Sequence, residues 1–240
     1  MNKDLVHNRF AKHLKDYDGN AKIQKIMAEK LITLCSGCRY NKILEIGCGT
    51  GFLTREAVKK LDFESYTAID IVGECGAYIN EIDGRINFQT ADIEEYEIAG
   101  GYDLIISNAA LQWAGDFEGT VNKLRDGLNE GGELIFSTFG RENFREIFYI
   151  EGASLEYYSE SELRALFPEF TVYPQEIHIM SFESPREVLR HLQKTGVNGL
   201  ESRRWTKSDL AGFERAYAGL CAKRPTLTYN PVYIKYQTVG

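Results

Sequence analysis

Between Lys42 and Thr54 the chain carries an apolar run that ends at Glu45-Ile46, then glycines at 47, 49 and 51, then a helical stretch beginning at Phe52. Alternating glycines in a strand-to-helix turn permit backbone angles closed to other residues, and they let a ligand lie directly on the main chain. The chemistry such a turn serves is cofactor binding. A dinucleotide turn spaces its glycines G-x-G-x-x-G, whereas here Phe52 occupies the third glycine's place. Nicotinamide chemistry is therefore disfavoured. A second acid, Asp70, closes the run Ser65–Asp70 nineteen positions beyond Gly51. In a Rossmann-like sheet an acid about 20 residues past the turn accepts hydrogen bonds from ribose hydroxyls. The plain alternative is a solvated carboxylate at a strand end.

The next two runs keep the pattern. Arg85–Thr90 leads into Ala91-Asp92-Ile93, and Tyr102–Asn108 leads into Ala109-Ala110-Leu111-Gln112-Trp113. A fifth strand follows Gly131-Gly132 as Glu133–Phe139. Ordered motifs at successive strand ends fit an open parallel sheet, which binds ligands at the carboxyl ends of its strands. Together they resemble the motifs of class I S-adenosylmethionine-dependent methyltransferases. That resemblance implies that Glu45, Gly47, Cys48, Gly49 and Gly51 pass under the cofactor's amino-acid part. It implies further that Asp70 and Ile71 meet the ribose, that Asp92 and Ile93 meet the adenine, and that Asn108 and Ala109 flank the methionine part. Asp92 read without the resemblance could equally begin a turn.

The elements that must hold these residues are legible from pattern. Phe10, His13, Leu14 and Tyr17 recur at helical spacing before the first strand, as do Ile23, Ile26, Met27 and Leu31. The βα alternation runs to about Gly140. Beyond it, Ser159-Glu160-Ser161-Glu162 is a capping box, and Ser184-Pro185-Arg186-Glu187 starts another helix. One strand is expected over Phe170–Phe182, with Ile177 and Ile179 alternating against His178 and Met180. A helix is expected over Ser208–Lys223, then an aromatic strand over Leu227–Ile234. The expected fold is α/β: a class I methyltransferase Rossmann-like sheet, mostly parallel with an antiparallel last strand, helices on both faces and a helical cover inserted after strand five. Within one domain (1–240) the divisions are an N-terminal helical cap (1–40), a cofactor-binding βα core (41–140), a substrate cover interleaved with the last strands (141–204) and a C-terminal helix and strand (205–240).

Composition narrows the class. With 43% hydrophobic and 26% charged residues in 240, the chain reads as one ordinary soluble domain. No apolar run approaches membrane-spanning length and the start is polar, so no membrane association and a cytoplasmic setting are expected. A net charge of −7 argues against nucleic acid. Charge is uneven, however: residues 186–224 carry nine Lys/Arg against four acids. Five cysteines and four histidines show no metal-ligand spacing, and Cys35-x-x-Cys38 lacks the second pair a zinc site needs.

The chain also resembles, along nearly its whole length, the malonyl-acyl-carrier-protein O-methyltransferases of biotin synthesis. The carrying stretches are Arg9-Phe10 with Tyr17-Asp18 and Gln24, Leu44–Gly51, Ser107–Trp113, and Phe139-Gly140 with Asn143-Phe144. His191–Asn198 and the terminal Thr226–Tyr233 are narrower signatures. The resemblance implies S-adenosylmethionine as cofactor, malonyl-loaded acyl carrier protein (or malonyl coenzyme A) as substrate, and Tyr17 and Gln24 as a cap over the cofactor. Gln112 and Trp113 fall where the fourth motif meets the substrate, although a tryptophan is more often simple packing. A malonyl carboxylate is ionised at neutral pH and needs no general base, so a missing catalytic His or Cys pair is expected. Arg145 is the expected orienting group, because guanidinium matches a carboxylate bidentately. Arg203, Arg204 and Lys207 are the expected dock for an acidic carrier. A carboxylate methyltransferase of the trans-aconitate type would share the first 140 residues and differ in the cover; a non-catalytic binding module is the other alternative, and the intact Glu45, Gly47, Gly49, Gly51 and Asp70 argue against it.

Overall fold

The computed structural model describes residues 3–152, 155, 157–195, 205–221 and 224–240. Two helices, α1 (Lys3–Asn20) and α2 (Lys22–Thr33), precede strand β1 (Arg39–Ile46). Then α3 (Phe52–Lys60), β2 (Asp62–Asp70), α4 (Cys75–Asn80), β3 (Ile86–Thr90), β4 (Tyr102–Asn108), α5 (Phe117–Asp126) and β5 (Leu128–Phe139) complete the alternation. The chain goes on through α6 (Arg145–Glu151), α7 (Glu160–Leu166), β6 (Thr171–Val172), β7 (His178–Ser181), α8 (Pro185–Lys194), α9 (Lys207–Leu220), β8 (Thr226–Tyr229) and β9 (Pro231–Gln237).

The main sheet has the order β3-β2-β1-β4-β5-β9-β6. Strands β1 to β5 are mutually parallel, and β9 runs antiparallel to both of its neighbours. Order reverses between β1 and β4, which opens a crevice at their carboxyl ends. Burial on both faces explains the apolar runs in the carboxyl halves of β1 and β5 and along β4. Alternate residues serve opposite layers. Ile43, Leu104 and Ile135 pack toward α1–α4, whereas Leu44, Ile105, Leu134 and Phe136 pack with Val121 and Leu124 of α5, Leu163 of α7 and Phe167 just after it.

The segment after β5 divides between these layers. Helix α7 and strand β6 complete the α5 face. Helices α6, α8 and α9 with the small antiparallel sheet β7-β8 join the α1–α4 face, where Val188, Leu192, Phe213, Tyr217 and Leu227 are buried. Here α8 contacts α1, and α6 contacts both β8 and α9. Expected caps are present at Ser159–Glu162 and at Ser184, with Pro185 in the first turn of α8. No helix among the described residues is long and apolar enough to cross a membrane.

Two expected strands prove to be divided. Phe170–Phe182 supplies β6 to the main sheet and β7 to the small one. The expected alternation is present, with Ile177 and Ile179 exposed while Met180 packs against the core. The terminal aromatic run breaks at Asn230 into β8 and β9. Asn230 is fully buried: its amide N–H donates to Asn143 Oδ1, its Nδ2 to the Glu176 carbonyl, and its Oδ1 accepts from the Glu142 N–H. Pro231 has no N–H to carry a ladder onward. These bonds turn the chain from one sheet into the other.

Candidate active site

The glycine turn builds the floor of a pocket at the carboxyl ends of β1, β2, β4 and β5. Gly47, Gly49 and Gly51 have φ of +67°, +54° and +84°, a region that penalises any side chain. The Gly47 and Cys48 N–H groups donate to the Ile69 carbonyl at 2.8 and 3.2 Å, tying the turn to β2. A Cβ on Gly47 would stand 2.3 Å from Ala110 Cβ. Gly47, Cys48 and Gly49 line the pocket; Gly51 does not. Its role is instead packing at the start of α3, where a Cβ would meet Ile82 Cδ1 at 2.4 Å.

Acids come from β1, from β2 and from the segment after β3. Glu45 is 1% exposed and accepts from Thr54 Oγ1 at 2.7 Å and Tyr66 OH at 2.6 Å. Burial outweighs those donors and raises its carboxyl to about 7. Asp70 accepts the Gly49 N–H at 2.8 Å and the Val72 N–H at 2.9 Å, so it fastens the loop as well as facing the pocket. Desolvation raises its pKa too, against those two donors. Asp92 accepts the Glu94 N–H at 3.0 Å and lines the pocket with Ile93; turn and pocket wall coincide in one residue. Ile71 and Glu94 complete this side.

The end of β4 is strained. Ala109 adopts φ +52°, and its N–H is shared between the Ser137 carbonyl (3.2 Å) and Ser137 Oγ (3.1 Å). Asn108 donates Nδ2 to the Gln24 carbonyl at 2.9 Å, which anchors α2 beside the site. Gln112 donates Nε2 to the Ala109 carbonyl at 2.7 Å, leaving Oε1 buried without a partner. Gln24 Oε1 and Thr50 Oγ1 are likewise buried and unpartnered, and all three residues line the pocket. A buried polar atom without a partner is costly unless a ligand completes it.

Helix α1 forms the remaining wall through His7, Phe10 and Tyr17. Tyr17 stacks on Phe52 at 5.9 Å and meets Phe10 edge-on at 4.9 Å. Burial pushes its phenol up, so it stays protonated. Phe139 closes the β5 side, Trp113 the β4 side and Thr195 the cover side. Behind Thr195, His191 Nε2 and Tyr229 OH are 2.7 Å apart, and burial lowers the imidazole to about 4, so it is neutral.

Arg145 does not reach this pocket. Its side chain is 43% exposed and pairs with Glu142 at 3.4 Å. Phe144, at φ +56°, sets the phase of α6 so that Glu146 and Ile147 turn inward and Arg145 outward. Glu146 then accepts from Thr228 N at 2.9 Å and from Thr228 Oγ1 at 2.7 Å, pinning β8. Lys207 is exposed at the start of α9, while Arg203 and Arg204 lie outside the described residues.

A family profile described as a methyltransferase domain matches residues 7–202. The malonyl-acyl-carrier-protein O-methyltransferase of Calditerrivibrio nitroreducens is 36% identical over 233 residues, covering 94% of this chain and 93% of that protein. The enzyme of the same name from Chlorobium luteolum is 35% identical over 246 residues, covering 96% and 94%. The chain belongs to the malonyl-acyl-carrier-protein O-methyltransferase family. Solved structures agree on the fold. The YcgJ protein of Bacillus subtilis superposes with a TM-score of 0.61 at 12% identity, covering 89% of this chain and 98% of that one. The N-methyltransferase NodS of Bradyrhizobium japonicum, solved with S-adenosylhomocysteine, gives 0.58 at 15% identity over 97% and 98%.

For a member of this family, the pocket contains several residues that motif reading did not single out. His7 gave no spacing signal beyond its helix. Thr50 and Phe139 were hidden in plain view, inside the glycine motif and at the end of β5. Thr195 sits in the narrow Lys-Thr-Gly-Val-Asn signature, whose residues 196–198 lie outside the described residues.

Proposed function

We propose that this pocket holds S-adenosylmethionine and that the chain transfers its methyl group to the free carboxylate of malonyl-acyl carrier protein, giving a methyl ester for biotin synthesis. The chain is an S-adenosylmethionine-dependent methyltransferase, and acyl carrier protein is its substrate partner. One observation carries the donor site. Glu45, Asp70, Asp92 and Glu94 converge with three unpartnered buried acceptors on Gln24, Thr50 and Gln112. A ligand with two cationic centres and ribose hydroxyls suits that set of groups.

When bound, the cofactor supplies an electrophilic methyl group on a sulfonium. The chain's part is placement. Glu45, Asp70 and Asp92 with the turn of Gly47–Gly49 hold the donor against the sheet. Phe10, Trp113 and Phe139 bound the pocket with apolar surface, which keeps water from a reaction that neutralises opposite charges. Tyr17 and Gln24 close the site from α1 and α2, so residues 1–40 act as its cap. Residues of the cover, of which Thr195 reaches the pocket, bound the acceptor side. The exposed Lys207 receives the carrier; Arg203 and Arg204, the other two members of that basic set in the sequence, lie outside the described residues.

Transfer of labelled methyl groups to malonyl-acyl carrier protein, beside malonyl coenzyme A, free malonate and trans-aconitate, tests the acceptor. Preferential labelling of the carrier-bound malonyl group is the expected result. Labelling of free acids alone would overturn the acceptor while leaving the donor site standing.

A further inference from the structure

Ser137 does not line the pocket, yet three groups that do are fastened through it. It lies on β5, 0% exposed, in register with Asn108 of β4. Its hydroxyl donates to Asn108 Oδ1 at 2.8 Å and accepts the Ala109 N–H at 3.1 Å. With Oδ1 so engaged, the Asn108 amide must present Nδ2 on the other side, where the Gln24 carbonyl accepts it at 2.9 Å. One hydroxyl thus fixes three things: the left-handed backbone of Ala109, the orientation of the Asn108 amide, and the distance from β4 to α2.

We infer that Ser137 is a positioning residue for the donor site, acting through Asn108 and the Gln24 main-chain carbonyl to set α2 so that the Gln24 side chain, with its unpartnered Oε1, faces the bound cofactor. This rests on the reading of the pocket as an S-adenosylmethionine site. A reversed Asn108 amide would set Nδ2 against Ser137 and an oxygen against the Gln24 carbonyl. Two carbonyl oxygens would then face each other in a buried place, which is unfavourable. The serine hydroxyl completes the orientation that the Gln24 carbonyl demands, donating to Asn108 Oδ1 and accepting the Ala109 N–H. A side chain of similar size without a hydroxyl leaves Oδ1 without that donor and loosens the link from β4 to α2.

The isosteric pair Ser137→Val and Ser137→Thr isolates the hydroxyl, with S-adenosylhomocysteine as the probe in calorimetry. Valine weakens binding about tenfold, the scale of one buried hydrogen bond, while threonine stays within about threefold of the parent. In turnover, valine raises KM for S-adenosylmethionine and leaves KM for malonyl-acyl carrier protein unchanged. Action through Gln24 is read from a cycle with Gln24→Met: the double variant loses little more than the worse single one. Equal affinities for the valine and threonine variants, or losses that multiply in the double variant, overturn the inference. Where the valine variant does not fold, Ser137→Ala against the parent makes the same comparison. A parent protein that fails to bind S-adenosylhomocysteine overturns the donor-site reading itself.

Discussion

Replacing Glu45 by glutamine should flatten the pH dependence of stability. The carboxyl is 1% exposed, and burial raises its pKa from 4.5 to about 7 despite the Tyr66 and Thr54 donors. Below the lower value both folded and unfolded states carry the proton, and Glu45 contributes no pH dependence. As pH rises through the unfolded value, the unfolded chain ionises while the native carboxyl stays neutral, so stability falls. The fall ends once pH passes about 7 and the native group ionises as well. Each tenfold difference in proton affinity is about 1.4 kcal/mol, so the full interval withdraws about 3 kcal/mol, and about 2 to 3 kcal/mol of it falls between about pH 5 and about pH 8. Glutamine keeps an acceptor for Tyr66 and Thr54 and cannot ionise. Urea unfolding followed by tryptophan fluorescence, for both proteins at both pH values, reads the difference. The variant gains on the parent by that amount toward alkaline pH. A stability difference that is the same at both values would refute the reasoning, because the carboxyl would then ionise alike in the folded and unfolded chains. A cationic ligand favours the ionised form, so the parent's affinity for S-adenosylmethionine should also rise through neutrality, and the variant's should not.

Gly47→Ala should abolish cofactor binding in calorimetry and lower stability by about 1 to 2 kcal/mol from the positive φ alone, before the 2.3 Å approach to Ala110 Cβ is counted. Arg145→Ala removes an exposed ion pair with Glu142, so kcat/KM on malonyl-acyl carrier protein should stay within about twofold. Glu146→Ala strips a buried acceptor from the Thr228 N–H and hydroxyl; thermal unfolding should show a loss of about 3 kcal/mol or more. Lys207→Glu should raise KM for the carrier-bound substrate severalfold and spare malonyl coenzyme A, with the difference shrinking at high salt.

The central parallel strands were legible because a strand buried on both faces is largely apolar, as Ile43–Ile46 (Glu45 aside) and Leu104–Ile106 are. The acids at 45, 70 and 92 were legible because strand ends put polar groups where ligands bind. What escaped depended on phase and on single hydrogen bonds. Arg145 and Glu146 are neighbours of similar length and opposite charge; which one faces inward is decided by the left-handed Phe144, and no periodicity in seven helical residues reports that. Which face of β7 is buried has the same origin, since a two-residue strand period yields two equally regular faces. Asn230 divides the terminal run through partners at 142, 143 and 176, all distant in sequence. Ser137 looked like one more polar residue in a sheet, because its meaning lies in what Asn108 must then do.

The junction at Asn230 has a consequence for how such enzymes diverge. The Gly140 N–H donates to the Asn230 carbonyl at 2.8 Å, and Phe139 stands in register with Pro231. The polypeptide therefore leaves β5 and enters β9 at a single point, like a loop of rope made fast to one cleat. Away from β6, which pairs with β9, and Thr195, which lines the pocket, the intervening segment can change while its two ends stay in place. Selection can rework the acceptor on one side of that knot while the donor chemistry is inherited whole. A grafted segment 141–229 from a relative, joined at the same two residues and keeping the pairing of β6 with β9, tests that separation.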